Sequence, residues 1–503
     1  QRLNTLWTGK SKKWIGLIVS LIDVFFFGAF FYGLNSLINA YSELGVFESY
    51  CKGNDCSEQR RMFSYVYVTG VVCQLVFSPL VGIAIDQVGL RFSRLIAASL
   101  FTTGSLMFAF ANRRTSYLLF PAVFFVAVGS LGGLVCNCYI SIWFPKCCGL
   151  LLAVQSGAYD SGAAVSFIVV QILPWLSLQT SFILIGALGA VCGILMAVFF
   201  LTQHGNQMVP PQEAQEDAPD KKQSGKEEEP ALKQVDLEMV RIIEERYPSL
   251  KSCLLSWPYA LIMLYSSAGN LRFSYYNSGL SRQVNESFSN DQELVNELLE
   301  TFSAAALCAF LVSPLNWLII DLSRRYYKQK LSRELEDIPE IPSDEEIYWT
   351  NMRALLPTLM ILPTLTLLIT ITQLIPGHRW LFYFQFVADI SFHTMLARVT
   401  STNVILGFPA EHFSTLMGLA LMGGGLTALL QYALLQTPIQ VGNSVMLLIS
   451  ISLYVPPLFY LIKRSRWDLN AMTEMASSAM ENGQTSVLLN PATEYCFHTI
   501  DKY

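Results

Sequence analysis

The sequence predicts an all-α membrane protein of twelve transmembrane helices in two six-helix bundles, on three observations. The chain of 503 residues is 52% hydrophobic and only 14% charged, whereas soluble proteins carry about 25% charged residues. Apolar runs near the ~20 residues that a membrane helix needs recur along its length. A nine-residue string also recurs with five identities, "SPLVGIAID" from Ser78 to Asp86 and "SPLNWLIID" from Ser313 to Asp321.

The runs place spans 1 to 6 at 14–38, 62–85, 93–111, 117–143, 150–173 and 181–202. Spans 7 to 12 follow at 253–279, 297–320, 354–375, 380–407, 413–435 and 443–462. The chain thus divides into an N-terminal six-helix bundle (1–202), a linker (203–251), a C-terminal six-helix bundle (252–464) and a tail (465–503). The two copies of the string end spans 2 and 8, the matching place in each half. A second echo, "WFPKCCGLLL" from Trp143 and "GFPAEHFSTLMG" from Gly407, joins spans 4 to 5 and 10 to 11. Matching halves are the mark of parallel internal repeats in transporters.

Lysine and arginine fix the expected orientation. With the N-terminus inside, cytoplasmic segments hold roughly three times as many cations as the outer loops, so both termini are expected in the cytoplasm. The linker is rich in Glu, Lys, Gln and Pro and is expected to be mostly disordered. Its end, "VDLEMVRIIEER", aligns Val235, Met239, Ile242 and Ile243 as one face of a short surface helix. The tail is expected to be mobile, and no cleavable signal peptide is expected.

Several function classes are excluded. The net charge of −5 comes with no basic patch, so no nucleic-acid partner is expected. The 11 cysteines show no zinc spacing, and no metal or cofactor is expected. There is no HExxH, nucleophile elbow or phosphate loop, which argues against an enzyme. Cys51 and Cys56 sit in an outer polar loop with Gly53 and Asn54 between them, and a disulfide is expected there. The sequon "NES" at Asn285 falls in the outer loop after span 7 and is an expected glycosylation site.

The stretch "GIAIDQVGLRFSR" resembles the signature between helices 2 and 3 of the major facilitator superfamily, matching at Gly82, Asp86, Gly89, Arg91 and Arg94. The resemblance implies the major facilitator fold and a gating role for these residues, with Asp321 and Arg324 in the weaker second copy. Gly82 is expected to let helices approach closely. Asp86 either accepts from a helix N-terminus or an arginine across the bundle interface, in a contact that breaks between states, or simply caps its loop.

Through most of the spans the chain also resembles the solute carrier 43 family. The resemblance is strongest in "GIAIDQVGLRFSRLIA", "GAYDSGAAV" (Gly157–Val165), "NLRFSYYNSG" (Asn270–Gly279) and "FPAEHFSTLMGL" (Phe408–Leu419). It implies a facilitative, sodium-independent plasma-membrane transporter of large neutral amino acids or, in one branch, of purine nucleobases. The partners are then a small solute and the lipid bilayer, for a monomer or weak oligomer.

Ionisable groups at membrane depth face a cavity or a partner. Here they are Asp23, Asp160, Arg272, Asp389, His393 and Arg398. Arg272, followed by Tyr275 and Tyr276, either reads a substrate carboxylate with its planar fork or clamps to Asp160 or Asp389. His393 is one helical turn from Asp389 and is expected either to bond it or to face the solute. The resemblance puts an arginine at this place in the family. Asn35, Ser36, Asn137 and Asn277 are candidates to orient a solute's polar end, with Phe30, Tyr32, Tyr139 and Tyr276 as the apolar wall. Asp160 matches the nucleobase branch, while the longer stretch around Arg272 favours amino acids. Amino acids are therefore the expectation; a purine nucleobase, or ion-coupled symport through Asp23 or Asp160, is the alternative.

Overall fold

The computed structural model describes residues 9–51, 56–144, 147–202, 230–288, 291–337, 344–375 and 377–462. Each of the twelve expected spans is helical, and the described residues contain no strand. Seven of the described helices are long and apolar enough to cross a membrane, or nine if each of two bent pairs is one span. Spans 5, 7 and 10 are outside that set. Span 5 is divided into Cys148–Ser161 and Ala164–Ile172. Spans 7 (Trp257–Ser287) and 10 (Arg379–Gly407) are long but carry Arg272, Asp389, His393 and Arg398. Spans 7 and 10 thus hold four of the ionisable groups expected at membrane depth, and span 5 holds Asp160.

Span 1 is also broken, into Gly9–Phe27, a 3-10 turn at Phe30–Gly33 and Leu34–Glu43. The breaks in spans 1 and 5 face one another. A side chain at Gly33 would collide with the Ala163 carbonyl, and one at Gly162 would press on Phe25 and Ala29. Glycine at both points lets two irregular backbones meet in the middle of the N-terminal half.

Spans 2 and 8 bend by 41° and 46°. In span 2 the bend falls at Phe77, two residues before Pro79, where proline's missing N–H and its ring interrupt the helix. In span 8 the bend lies upstream of the repeated string, and Pro314 stays inside the helix Cys308–Asp337. The repeat is therefore exact in position but not in conformation.

The signature residues divide by role. Gly89, at φ +93°, ends the helix Ser78–Val88 in a conformation that favours glycine. Arg91 donates through Nε to the Leu201 carbonyl at 2.5 Å, tying the start of span 3 to the end of span 6. Gly82 corrects the expectation of close packing: nothing lies within 4 Å of where its Cβ would stand. The close approach of spans 2 and 11 comes from the other partner, with Gly418 against Pro79 and Gly425 against Leu75 and Val76. The Asp86 side chain lies outside the described residues. Asp321 pairs at 2.7 Å with Arg325 on its own helix, and with Arg324 both line a hollow at the linker end.

Cys51 and Cys56 are joined by a disulfide that closes the loop between spans 1 and 2. Neither thiol should react with a membrane-impermeant maleimide until a reductant is added, a gel-shift measurement. Asn285 is not in a loop. It occupies the last turn of Trp257–Ser287 and its amide donates to the Ser281 carbonyl at 2.7 Å.

The linker's expected disorder falls at 203–229, outside the described residues, as does the tail. The linker helix, Pro230–Arg246, is docked on the protein instead of lying free on a surface. Ile242 and Ile243 are buried. Arg241 reaches Asp344 at 3.2 Å, and Arg246 reaches Glu345 at 3.7 Å and covers the Tyr348 ring at 4.4 Å. The partner is a helix that no apolar run marks, Asp344–Arg353, whose first turn holds Asp344, Glu345 and Glu346. An amphipathic face can bury itself against protein as well as lipid, and this acidic first turn draws the linker's arginines.

Candidate functional site

Between the halves, at the end that carries the disulfide, a row of hydrogen bonds closes the gap. Asn35 Nδ2 donates to the Asn277 carbonyl at 3.1 Å, and Ser36 Oγ to Ser303 Oγ at 2.6 Å. Asn39 Nδ2 donates to Asn296 Oδ1 at 2.8 Å, and Ser64 Oγ to the Ser278 carbonyl at 2.6 Å. Thr69 and Tyr432 hydroxyls lie 2.7 Å apart. Each bond joins an N-terminal span to a C-terminal one. Asn35 and Ser36, expected as solute ligands, are members of this seal in the closed conformation, with their polar groups bonded to the opposite half.

Toward the linker end the halves also touch. Arg398 donates to the Leu152 carbonyl, Ser313 Oγ to the Ala153 carbonyl at 2.8 Å, and the Phe310 amide to Ser161 Oγ at 3.1 Å. Arg398 thus addresses span 5, on the face of its helix away from Asp389.

Between the two sets of contacts lies a cavity of about 30 Å³ lined by Tyr32, Asp160, Phe273, Asn277, Asp389 and His393, with Ala163, Ala306 and Ala309. That volume holds a water or two, so a solute must part the halves to enter. His393 Nδ1 lies 3.4 Å from Asp160 Oδ1. Its ring stacks on Phe273 with centroids 3.8 Å apart and planes at 11°, while Tyr32 meets it edge-on at 5.7 Å. The expected His393–Asp389 bond is therefore corrected. Helical spacing puts the two on one face, but Asp389 Oδ2 accepts from Asn277 Nδ2 at 3.0 Å, and the imidazole turns to the opposite half. Tyr32 sends its hydroxyl away, to Gln74 Oε1 at 2.9 Å, and Gln74 Nε2 continues to the Tyr159 hydroxyl at 3.0 Å. The Tyr32 ring is left to face the cavity.

Arg272 is fully buried but does not line this cavity. Nη2 donates to Gln373 Oε1 at 2.9 Å, and the guanidinium sits 5.7 Å from the Tyr276 ring centroid. It forms no ion pair with Asp160 or Asp389, which corrects the clamp alternative. Its Nε and Nη1 have no hydrogen-bond partner. Tyr276, also expected at the solute, packs instead on Phe302 and donates to Gln385 at 3.3 Å.

Asn137 is corrected most plainly. It lies inside the N-terminal half, where its Nδ2 donates to Asp23 Oδ2 at 2.6 Å. Arg94 meets the same oxygen at 2.5 Å, with both side chains of the ion pair no more than 5% exposed. Arg94 therefore binds span 3 to span 1 within one half instead of reaching across the interface. Asp23 is already neutralised, which weakens it as an ion-coupling site. Phe30 is likewise interior, packed among Phe101, Phe108 and Phe182.

The glutamines are absent from the candidates above. Gln74, Gln373 and Gln385 each satisfy a buried tyrosine or arginine, with the same uncharged amide as the asparagines that the sequence singles out. A scan of apolar runs for every polar side chain would have found them. Phe273 was passed over as one aromatic among many, and only its stack on His393 singles it out. Among the described residues no group of three His, Cys, Asp or Glu side chains is placed to hold a metal.

Comparison with known proteins finds relatives named for the transport of two kinds of solute. The Equilibrative nucleobase transporter 1 of Bos taurus is 23% identical over 456 residues, 83% of this chain and 88% of that protein. The Large neutral amino acids transporter small subunit 3 is 24% identical in Homo sapiens, over 178 residues and 32% of each chain. Its Mus musculus counterpart is 25% identical over 179 residues, 32% of this chain. Residues 14–432 match the Major Facilitator Superfamily. A match that runs through both six-helix halves, joined to the helical fold above, places the chain in the major facilitator superfamily, as a membrane transporter.

Proposed function

We propose that this chain carries a flat, uncharged heterocycle of the nucleobase class by facilitated alternating access. Its two halves part at one end and then the other, around the cavity at Asp160. The observation that carries the reading is the acceptor character of that cavity wall. Two carboxyl groups, Asp160 and Asp389, line it, neither within ion-pair distance of an arginine, while Arg272 donates to Gln373 and acts on Asp389 only at longer range. Such a wall offers oxygen acceptors to the N–H groups of a solute and presents no arginine to a carboxylate. Phe273 and Tyr32 add aromatic surface for a planar ring. The relative matched along most of its length is named for nucleobase transport. The cation bias of the loops supports cytoplasmic termini, with the seal then on the extracellular side of a plasma-membrane protein.

One observation favours the expected neutral amino acids instead. Arg272 Nε and Nη1 are buried without partners, and a fork with two free donors suits a carboxylate. Uptake of labelled adenine and leucine into proteoliposomes, without ion gradients, separates the readings. Saturable adenine uptake that leucine does not compete supports the proposal. Leucine uptake that falls tens-fold in Arg272→Lys, where a point charge replaces the fork, replaces it with the second reading. Accumulation only under a sodium or proton gradient excludes facilitated transport in either case.

A further inference from the structure

The His393 imidazole holds an unusual position. It comes from span 10, lies flat on Phe273 of span 7, and points Nδ1 at Asp160 of span 5, in the other half of the protein. Tyr32 of span 1 closes its edge. Aromatic pairs ordinarily prefer tilted or offset contact, yet these two planes are 11° apart with centroids at 3.8 Å. The ring is sandwiched where the two halves and the cavity meet.

We propose that His393 is a resident stand-in for the solute. In the closed conformation its imidazole fills a slot between Phe273 and Asp160 that a flat ring bearing an N–H takes when bound, and the solute enters by displacing it. An imidazole is one of the two fused rings of a purine. It offers the same flat face to Phe273 and the same N–H to a carboxylate. The hold on it is weak, because 3.4 Å is longer than a well-made N–H···O bond. The same cavity is lined by the small side chains Ala163, Ala306 and Ala309, and once the halves part a χ1 change moves a histidine between staggered wells. Asp389 and Asn277 border the same cavity and give a larger ring a second polar edge that the imidazole does not use.

The identity of the solute rests on the nucleobase reading; the slot does not. A side chain that occupies a binding site lowers the apparent affinity by the fraction of time the site is free. If His393 fills the slot about nine-tenths of the time, removing it should lower the apparent Kd by roughly tenfold.

The test uses the full-length protein in nanodiscs, with imidazole and adenine as probes and thermal stabilisation and equilibrium binding as readouts. His393→Ala should gain saturable imidazole binding that the unaltered protein lacks, and should bind adenine about tenfold more tightly. Adding Phe273→Ala should remove the imidazole binding. Should His393→Ala fail to fold, His393→Ser vacates the same slot and serves both arms. Imidazole binding no better in the vacated variant than in the unaltered protein overturns the proposal. Failure of the nucleobase reading looks different: adenine binds neither protein, while imidazole still binds the vacated slot.

Discussion

Asp160→Asn is expected to abolish solute uptake in a protein that still folds. Asp160 lies on the cavity wall, and its side-chain contact is the 3.4 Å approach of His393. Among the described residues its carboxyl makes no hydrogen bond and no other ion pair, with Arg398 acting on it only at longer range. A solute N–H bonded to the carboxylate in a dry site makes a charge-assisted bond, and losing such a partner costs on the order of 2–5 kcal/mol. That corresponds to a loss of tens- to thousands-fold in apparent affinity. The amide keeps the shape and one acceptor oxygen, so yield and melting temperature should stay near those of the unaltered protein. Asp160→Asn should therefore lose uptake without losing fold, in proteoliposomes with matched protein content. Uptake at the unaltered rate would move the solute site away from span 5.

The largest effect on stability is expected at the ion pair inside the N-terminal half. Arg94 and Asp23 meet at 2.5 Å, with Asn137 on the same carboxylate oxygen. Removing one member of a buried pair leaves a charge in low dielectric and costs roughly 3–5 kcal/mol. Arg94→Ala should therefore extract from membranes as aggregate, and Asp23→Asn should suffer similarly by leaving the guanidinium alone. Replacing both by polar neutrals, Asp23→Asn with Arg94→Gln, removes the charges together and should recover most of the monodisperse yield. Size-exclusion chromatography after detergent extraction reads all three. An Arg94→Ala protein as monodisperse as the unaltered one would show that the pair does not hold the bundle.

The spans were legible in the sequence because lipid demands long apolar runs, and the duplicated string gave the symmetry. The breaks were less so. Nothing in the composition of span 1 or span 5 marks where the helix yields; the reason lies in the crossing of Gly33 on Ala163 and of Gly162 on Phe25, which is a fact of packing. Gly82 shows the converse, since a glycine in a motif invited a close-contact role that Gly418 and Gly425 fill from the facing helix. At the site, the depth of Asp160, Asp389 and His393 was evident from their apolar surroundings. Their partners were not. Helical spacing pairs Asp389 with His393, whereas the fold gives Asp389 to Asn277 and His393 to Asp160. Choices between a neighbour one turn away and one in the other half depend on how the bundles meet.

If solute passes only when the seal between the halves opens, a reversible cross-link across that seal should stop transport. Asn39 and Asn296 face each other from spans 1 and 8, Nδ2 to Oδ1 at 2.8 Å. Asn39→Cys with Asn296→Cys can therefore be bridged by a short bifunctional methanethiosulfonate and released by a reductant, with the unaltered protein carried through both treatments as the control for the native cysteines. Uptake should fall to the level of empty liposomes when the cross-link forms and return when it is reduced. Undiminished uptake by the fully cross-linked protein would mean that solute passes with the seal shut.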